Sequence, residues 1–271
     1  MPVSSLRLEL VKILRQKRTY LGWLGLALVP VIVIVAGALQ APHRPDPGDP
    51  PFVTHVSQNG LLVMLAVLYA LASFLLPIIA AMGGASSVAS EAESGTLKTW
   101  LTRPVSRTGV LLTKWATAVL YALAGAALVA VVSLVAGVAA FGLHPLVTLS
   151  GATLGPRHAL ALIAAAYLLV VAGAVCSLTI ALLLSTLTNS SLTAATIAIA
   201  VFTILTVLNA FSVFDFMKPY TYSSYRLVFV NLFRSPIYWQ PIRRALVDYG
   251  VTVGALLLAA WVVFGRKDVL T

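Results

Sequence analysis

Six long apolar segments constrain the fold of this chain more than any other feature of its sequence. A helix of about 20 residues crosses the hydrocarbon core of a bilayer, and each segment is close to that length or longer. Of the 271 residues, 60% are hydrophobic and 10% are charged, whereas about a quarter are charged in a typical globular domain. The sequence therefore predicts an all-α integral membrane protein, a single transmembrane domain over residues 1–271, with spans near Tyr20 to Leu39, Leu61 to Met82, Leu112 to Phe141, Ala159 to Leu184, Leu192 to Val213 and Leu246 to Phe264.

The formal net charge of +10 comes largely from lysines and arginines that flank these segments. In a soluble chain this charge would suggest nucleic acid as a partner, but at membrane flanks topology and anionic lipid headgroups explain it. Five basic residues precede the first span, so the positive-inside rule places the N-terminus in the cytoplasm, and six crossings return the C-terminus to the same side. We expect a multi-pass protein of the cell inner or plasma membrane, in contact with the lipid bilayer and with no nucleic acid.

The first 19 residues have a helical pattern of their own. Apolar residues recur at helical spacing on one face, and basic residues occupy the rest of the surface; the apolar set is Leu6, Leu10, Ile13 and Leu14. A helix of this kind lies in the membrane interface with its apolar face toward the lipid. Residues 1–19 are therefore predicted to form an interfacial helix, and a basic flank that only sets the topology is the alternative.

The stretch from residue 214 to residue 245 fits this topology poorly. Six spans place it outside, yet it holds five basic residues against one acidic residue, Asp215, which the positive-inside rule disfavours. Three prolines, Pro219, Pro236 and Pro241, interrupt any long helix. An external re-entrant hairpin of short helices is favoured over an error in the number of spans, because a cytoplasmic placement would leave the C-terminus outside.

Two kinds of chemistry are missing from the sequence. No Gly-x-x-x-x-Gly-Lys-Ser/Thr pattern occurs, so the chain lacks the loop and the lysine that hold the phosphates of a nucleotide. The central portions of the six segments lack Asp, Glu, His and Arg, which proton- and sodium-coupled transporters usually place near the midplane. We expect no enzyme activity, cofactor or metal in this chain, and a transport role would need a partner that supplies energy.

One connector is unusually polar: residues 90–114 read SEAESGTLKTWLTRPVSRTGVLLTK. Ser90 and Glu93 have the spacing of a capping box, which predicts the start of a helix. The apolar residues Leu97, Trp100 and Leu101 then fall on one helical face. Pro104 stops the helix after about two turns. The pattern predicts a short amphipathic helix on the membrane surface.

Several features of this connector form a recognisable set: Glu91, Glu93, the Gly95-Thr96-Leu97 triplet, Leu101, the Pro104-Val105-Ser106-Arg107 run and Lys114. Together they resemble the first cytoplasmic loop of type-2 ABC exporter permeases, the membrane subunits of ATP-driven export systems. The basic amphipathic N-terminus, the polar break from Ser185 to Ser191 and the ending Phe264-Gly265-Arg266-Lys267-Asp268 are also similar to that family.

The resemblance implies the transmembrane subunit of an ABC exporter, which forms the translocation path. Two permease copies, a homodimer or a heterodimer, would work with two separate ABC ATPase subunits that carry the ATP and Mg²⁺. The loop over residues 90–113 would hold a coupling helix that docks on the ATPase, residues 1–19 an elbow helix, and residues 214–245 the external hairpin. The docking residues that the resemblance implies are Glu91, Glu93, Gly95, Thr96, Leu97, Trp100, Leu101, Arg103 and Pro104, with Arg107 and Lys114 as anchors to lipid or to carboxylates of the partner, and Thr186 to Ser191 as a second contact.

The residues alone leave alternatives open. The same loop would also suit a membrane subunit of a helical complex that transports nothing and binds another cytosolic protein. Gly250 and Gly254 allow close approach of another backbone in the last segment, which indicates packing within the chain more than a dimer contact. Gly83 and Gly84 precede the polar loop, where they fit a hinge as well as close packing.

Overall fold

The computed structural model describes residues 17–39, 56–93, 106–147 and 151–266, and also residues 6, 9, 11, 12 and 15. Within these ranges the helices are α1 (Lys17–Leu39), α2 (Gly60–Ala70), α3 (Leu76–Glu93), α4 (Arg107–Phe141), α5 (Pro156–Leu187), α6 (Ser191–Leu208) and α7 (Trp239–Arg266). Among the described residues, six lengths of helix are long and apolar enough to cross a membrane, since α2 and α3 form one continuous length. The prediction of six helices of membrane-spanning length is confirmed.

Short elements connect these helices. A hairpin of β1 (Leu146–Val147) and β2 (Thr153–Leu154) joins α4 to α5, with Leu146 opposite Leu154. A 3-10 turn, Val56–Gln58, precedes α2. Between α6 and α7 the chain forms four 3-10 segments, Ser212–Phe214, Lys218–Tyr220, Tyr222–Tyr225 and Val228–Phe233.

A π-helical turn, Leu71–Leu75, joins α2 to α3. Pro77 follows at the start of α3 and has no N–H to donate to the carbonyl four residues earlier, and its ring crowds that carbonyl. The wider π-helical turn accommodates this missing bond, and the helix continues beyond it to Glu93. The span therefore stays in one piece through its proline.

The helices differ from the apolar segments mainly at their ends. The helix of the second span continues past Met82 to Glu93, and α7 begins at Trp239 instead of Leu246. Ser90 therefore lies inside α3, where its hydroxyl donates to the carbonyl of Ser86, so the predicted capping box is wrong. Hydropathy marks only the part of a helix that suits lipid, and backbone hydrogen bonds extend the helix into polar sequence. The connector between α3 and α4 is accordingly shorter than 90–113, and the stretch 214–245 includes the first turns of α7.

The centre of the bundle is the contact between α3 and α5, which is the most extensive in the described part of the chain. A Cβ on Gly84 would lie 2.2 Å from the carbonyl oxygen of Leu178, so this glycine lets the two backbones touch. Close packing, not a hinge, explains Gly84. In contrast, a Cβ on Gly250 or Gly254 would meet nothing within 4 Å, so the expected packing of α7 through these glycines is absent among the described residues.

The start of α2 is fixed against the end of α4. Asn59 caps α2 by accepting from the N–H of Leu61 at 3.0 Å, and its amide donates to the carbonyl of His144 at 2.8 Å. A Cβ on Gly60 would lie 2.6 Å from the backbone of Gly137, so no larger residue fits between these helices. We call this end of the bundle, which also holds the hairpin, the far end; the loop end is the opposite one, where α3 ends and α4 begins.

Candidate functional site

Buried ion pairs join the helices on either side of residues 94–105. Glu91 accepts from Lys114 at 2.7 Å and from Lys12 at 2.5 Å, and Lys114 also lies 3.1 Å from Glu9. Two carboxylates and two ammonium groups thus balance in charge. We call Glu9, Lys12, Glu91 and Lys114 the ion-pair cluster; it connects the N-terminal residues, the last turn of α3 and the first turns of α4.

The two central members of the cluster are almost fully enclosed. The side chain of Glu91 is 1% exposed and that of Lys114 is 2% exposed, whereas Lys12 is 41% exposed. A buried charge is tolerated only when it is paired, because losing its hydration costs several kcal/mol. The cluster therefore specifies how α3 and α4 sit against each other: a rotation of either helix would leave a buried charge without its partner.

The cluster follows from the placement of four charges in the sequence. Glu91 lies in the last turn of α3, and Lys114 lies about two turns into α4, so a short connector brings the two side by side. Glu9 and Lys12, three residues apart, come from the N-terminal segment, where Glu9 is the one acidic residue among residues 1–19. Glu9 and Lys12 were missed as site residues, although an isolated acid in a basic segment was a usable signal.

Hydrogen bonds tie the same end of α3 to the end of α5 and the start of α6. The hydroxyl of Ser185 accepts from the backbone N–H groups of Val88 at 3.1 Å and Ala89 at 3.3 Å. The hydroxyl of Ser191 donates to the carboxylate of Glu93 at 3.1 Å. These contacts place the polar break between α5 and α6 next to the last turns of α3.

The start of α4 is bonded to the end of α7. Arg107 donates to the carbonyl oxygens of Phe264 at 3.2 Å and Gly265 at 2.9 Å, which are acceptors that the end of a helix leaves open. The indole N–H of Trp261 donates to the hydroxyl of Thr108 at 2.8 Å. Hydrogen bonds at the loop end thus join α4 to α7, the last span, as well.

The comparison with protein families decides the class. A family model described as ABC-2 family transporter protein matches residues 3–269, which is nearly the whole chain. The chain belongs to the ABC-2 family of transporter proteins. As the sequence predicted, it is a transmembrane subunit of a transporter and a multi-pass membrane protein. A subunit of this kind is not normally an enzyme itself. The family implies an ABC ATPase as partner. Comparison with curated proteins gives no match.

The residues expected to dock the ATPase of an ABC-2 protein fall into two groups. Seven lie outside the described residues, namely Gly95, Thr96, Leu97, Trp100, Leu101, Arg103 and Pro104. Among the others Glu93 is exposed, but Glu91 and Lys114 are enclosed by the chain and have no surface to offer a partner. Lys114 and Arg107, expected as anchors to lipid or to a partner, both bind groups of this chain, Lys114 through its pair with Glu91 and Arg107 through the carbonyl oxygen of Gly265. Lys114 is enclosed and so positions the helices, whereas Arg107 remains exposed.

A second polar site of this ABC-2 protein lies between α6 and α7. Within the 3-10 segments, the hydroxyl of Tyr222 lies 3.0 Å from that of Ser177 on α5, and the hydroxyl of Tyr249 on α7 donates to the carbonyl of Tyr225 at 3.0 Å. The segment thus places polar groups against helices of two spans.

Proposed function

We propose that this chain is the transmembrane subunit of an ATP-driven exporter, which forms the translocation path and receives motion from a separate ABC ATPase through the connector of α3 and α4. One observation supports this proposal most directly. In an ABC-2 chain, the two helices that flank this connector are joined by the ion pair of Glu91 and Lys114, both of them buried. A force on the connector would act on α3 and α4 as one body.

The contacts at the loop end suggest how that force spreads. Lys12 and Glu9 tie the N-terminal segment to the same ion-pair cluster. Glu93 reaches the start of α6 through Ser191, and Arg107 reaches the end of α7. Displacement of the connector would therefore tilt α3 and α4 and pull on the other spans at their loop ends. Residues 94–105 would contain the coupling helix itself, with Thr186 to Ser191 beside it as a second contact.

The rest of the assembly follows from the same proposal. Two permease copies, most simply a homodimer, would pair with two ATPase subunits that hold ATP and Mg²⁺. The protein would lie in the inner or plasma membrane of the cell, with both termini and the connector in the cytoplasm. Residues 1–19 would lie in the membrane interface. The 3-10 segments would re-enter the membrane from outside, which the contact of Tyr222 with Ser177, far from both ends of α5, supports.

Co-purification tests the proposed partner. The tagged chain, extracted in mild detergent from its native cells, is expected to bring down a P-loop ATPase. Leu101→Asp in the connector should reduce that ATPase strongly, because a charge on the apolar face of the docking helix would have to enter the interface. Leu143→Asp is the matched control, since Leu143 is 46% exposed beyond the end of α4 at the far end. If neither substitution changes the ATPase yield, or if another cytosolic protein is lost with Leu101→Asp, the exporter proposal is wrong.

A further inference from the structure

The far end of the bundle carries a positive charge that topology does not explain. Residues 209–248 run from the end of α6 to the first turns of α7, both at the far end. The basic residues in this range are Lys218, Arg226, Arg234, Arg243 and Arg244, and the acidic residues are Asp215 and Asp248. Basic residues normally collect on the cytoplasmic side, where the connector at the opposite end is proposed to lie. The excess at the far end therefore needs another explanation.

Two of these cations are matched by the two acids. Lys218 pairs with Asp215 at 2.6 Å. Arg244 attracts the carboxylate of Asp248, which lies four residues further along α7 and thus on the same helical face. The acids of this region are therefore already engaged by neighbouring cations.

Arg234 and Arg243 differ from these pairs. Both are exposed, and neither forms an ion pair among the described residues. Arg234 follows the 3-10 segment Val228–Phe233, which packs against α7. The N–H of Tyr238 donates to the carbonyl of Asn231 at 3.4 Å, so the chain that contains Arg234 turns back immediately before α7 begins. The two unmatched guanidinium groups thus both belong to the start of the last span.

The length of α7 places Arg243 at the depth of lipid headgroups. Residues 245–265 of this helix end at Arg266 and contain one charged residue, Asp248. With a helical rise of about 1.5 Å per residue, this stretch is about 31 Å long, which matches a hydrocarbon core of about 30 Å. Val247, one turn after Arg243, is apolar and exposed, as a contact with lipid requires. Arg243 therefore lies just beyond the hydrocarbon core, within reach of phosphate groups.

Aromatic side chains mark the same depth. Tyr238 and Trp239 are both exposed at the start of α7. Tyrosine and tryptophan are enriched at the membrane–water interface, where their rings lie among the headgroups. The start of α7 thus combines interfacial aromatic rings with cations that have no acid of their own.

From this arrangement we propose that the surface formed by Arg234, Tyr238, Trp239 and Arg243 binds an anionic phospholipid in the leaflet at the far end, with the lipid phosphate on the two arginines. A guanidinium offers paired donors that match phosphate oxygens. The unmatched positive charge favours an anionic lipid over a zwitterionic one, whose own ammonium group it repels. The binding belongs to the permease itself, so its test needs no ATPase and stands apart from the test of coupling.

Photo-labelling with two phospholipid probes measures this preference. The purified full-length chain is placed in nanodiscs of phosphatidylcholine that contain a small fraction of either phosphatidylglycerol or phosphatidylcholine with a diazirine close to the ester of one acyl chain. Peptic peptides with a label are then identified by mass spectrometry. We expect the phosphatidylglycerol probe to label residues 234–247 at least about fivefold more than the phosphatidylcholine probe. Glycerol 3-phosphate in the buffer should not change this ratio, because it lacks the chains that hold a headgroup at the surface.

Matched substitutions assign the preference to the two arginines. Both are exposed, so their variants should fold as the wild type does. Arg234→Gln/Arg243→Gln should bring the ratio close to one, whereas Arg234→Lys/Arg243→Lys should keep most of it because the charge remains. Arg266→Gln is the control, since Arg266 is exposed at the loop end of the same helix and its loss should not change the ratio at residues 234–247.

Three results would overturn the proposal. Equal labelling by the two probes, or an unchanged ratio in Arg234→Gln/Arg243→Gln, would show that the arginines select no anionic lipid. Loss of the ratio with glycerol 3-phosphate would show a site for a soluble phosphate instead. Labelling of residues 234–247 by neither probe would show that protein, not lipid, covers this surface.

Discussion

Removing the charge of Lys114 gives a sharp test of the ion-pair cluster. In Lys114→Met the aliphatic part of the lysine side chain is replaced by a side chain of similar size. Glu91, which is 1% exposed, keeps its buried carboxylate. Breaking a buried pair in this way destabilises a protein by about 3–5 kcal/mol. Lys12 remains 2.5 Å from Glu91 and offsets part of that cost, so we expect a loss at the lower end, about 3 kcal/mol.

The loss is measured as the free energy of unfolding in detergent micelles, from denaturant titrations followed by tryptophan fluorescence. Trp115 is a well-placed reporter, since it follows Lys114 and its indole donates to the hydroxyl of Thr179 on α5 at 3.0 Å. The control is Lys218→Met, which breaks the pair of Lys218 with Asp215, whose side chains are 41% and 59% exposed. An exposed pair contributes only about 0–1 kcal/mol, so this variant should unfold almost as the wild type does.

The double variant Glu91→Gln/Lys114→Met completes the test. It removes both central charges and leaves Glu9 and Lys12, which are opposite in sign. Its loss of stability should be clearly smaller than the sum of the two single losses, because neither charge is then left buried alone. Additive losses, or a loss below about 1 kcal/mol for Lys114→Met, would show that the pair does not hold α3 to α4.

Two further predictions concern the packing of α3 on α5. Gly84→Ala should lower the free energy of unfolding by about 2 kcal/mol, because its Cβ would meet the carbonyl of Leu178. The control Gly250→Ala, with open space around it, should be neutral or slightly stabilising. Equal effects of the two substitutions would contradict this packing. Ser185→Ala should lower the free energy of unfolding by about 1 kcal/mol, because the hydroxyl of Ser185 accepts from two N–H groups of α3. The control Thr203→Val should lower it little, since the exposed hydroxyl of Thr203 donates to the carbonyl of Ile199 on its own helix. The same denaturant titrations compare these two variants.

The number and order of the helices were predictable because hydrophobicity over about 20 residues is a strong signal for a span. The ends were less predictable. The extension of α3 to Glu93 carries the helix past Gly83 and Gly84, which taken alone suggest a break. Tertiary contact decides here, since Gly84 is where α3 and α5 touch.

The contacts of the charged residues at the loop end could not be predicted from the sequence. Charge at Glu91, Arg107 and Lys114 drew attention to the connector, yet their exposure depends on which helices lie beside them. Pairing of Lys114 with Glu9 joins residues that are distant in sequence, and periodicity within one segment contains no information on such a contact. For the same reason Arg226 looked like one of several basic residues at a membrane surface, and its half-buried position became visible only in the fold.

Site-specific photo-crosslinking tests the central claim, that an ABC ATPase docks on the connector between α3 and α4. A photoreactive amino acid replaces Trp100 in the full-length chain, the cells are irradiated, and crosslinked partners are identified by mass spectrometry. Replacement of Tyr238, which is 48% exposed beside the start of α7, serves as the control position. We predict that a P-loop ATPase is crosslinked from position 100 and not from position 238. Absence of any P-loop ATPase from the crosslinks at position 100, with efficient crosslinking to other proteins, would contradict the claim.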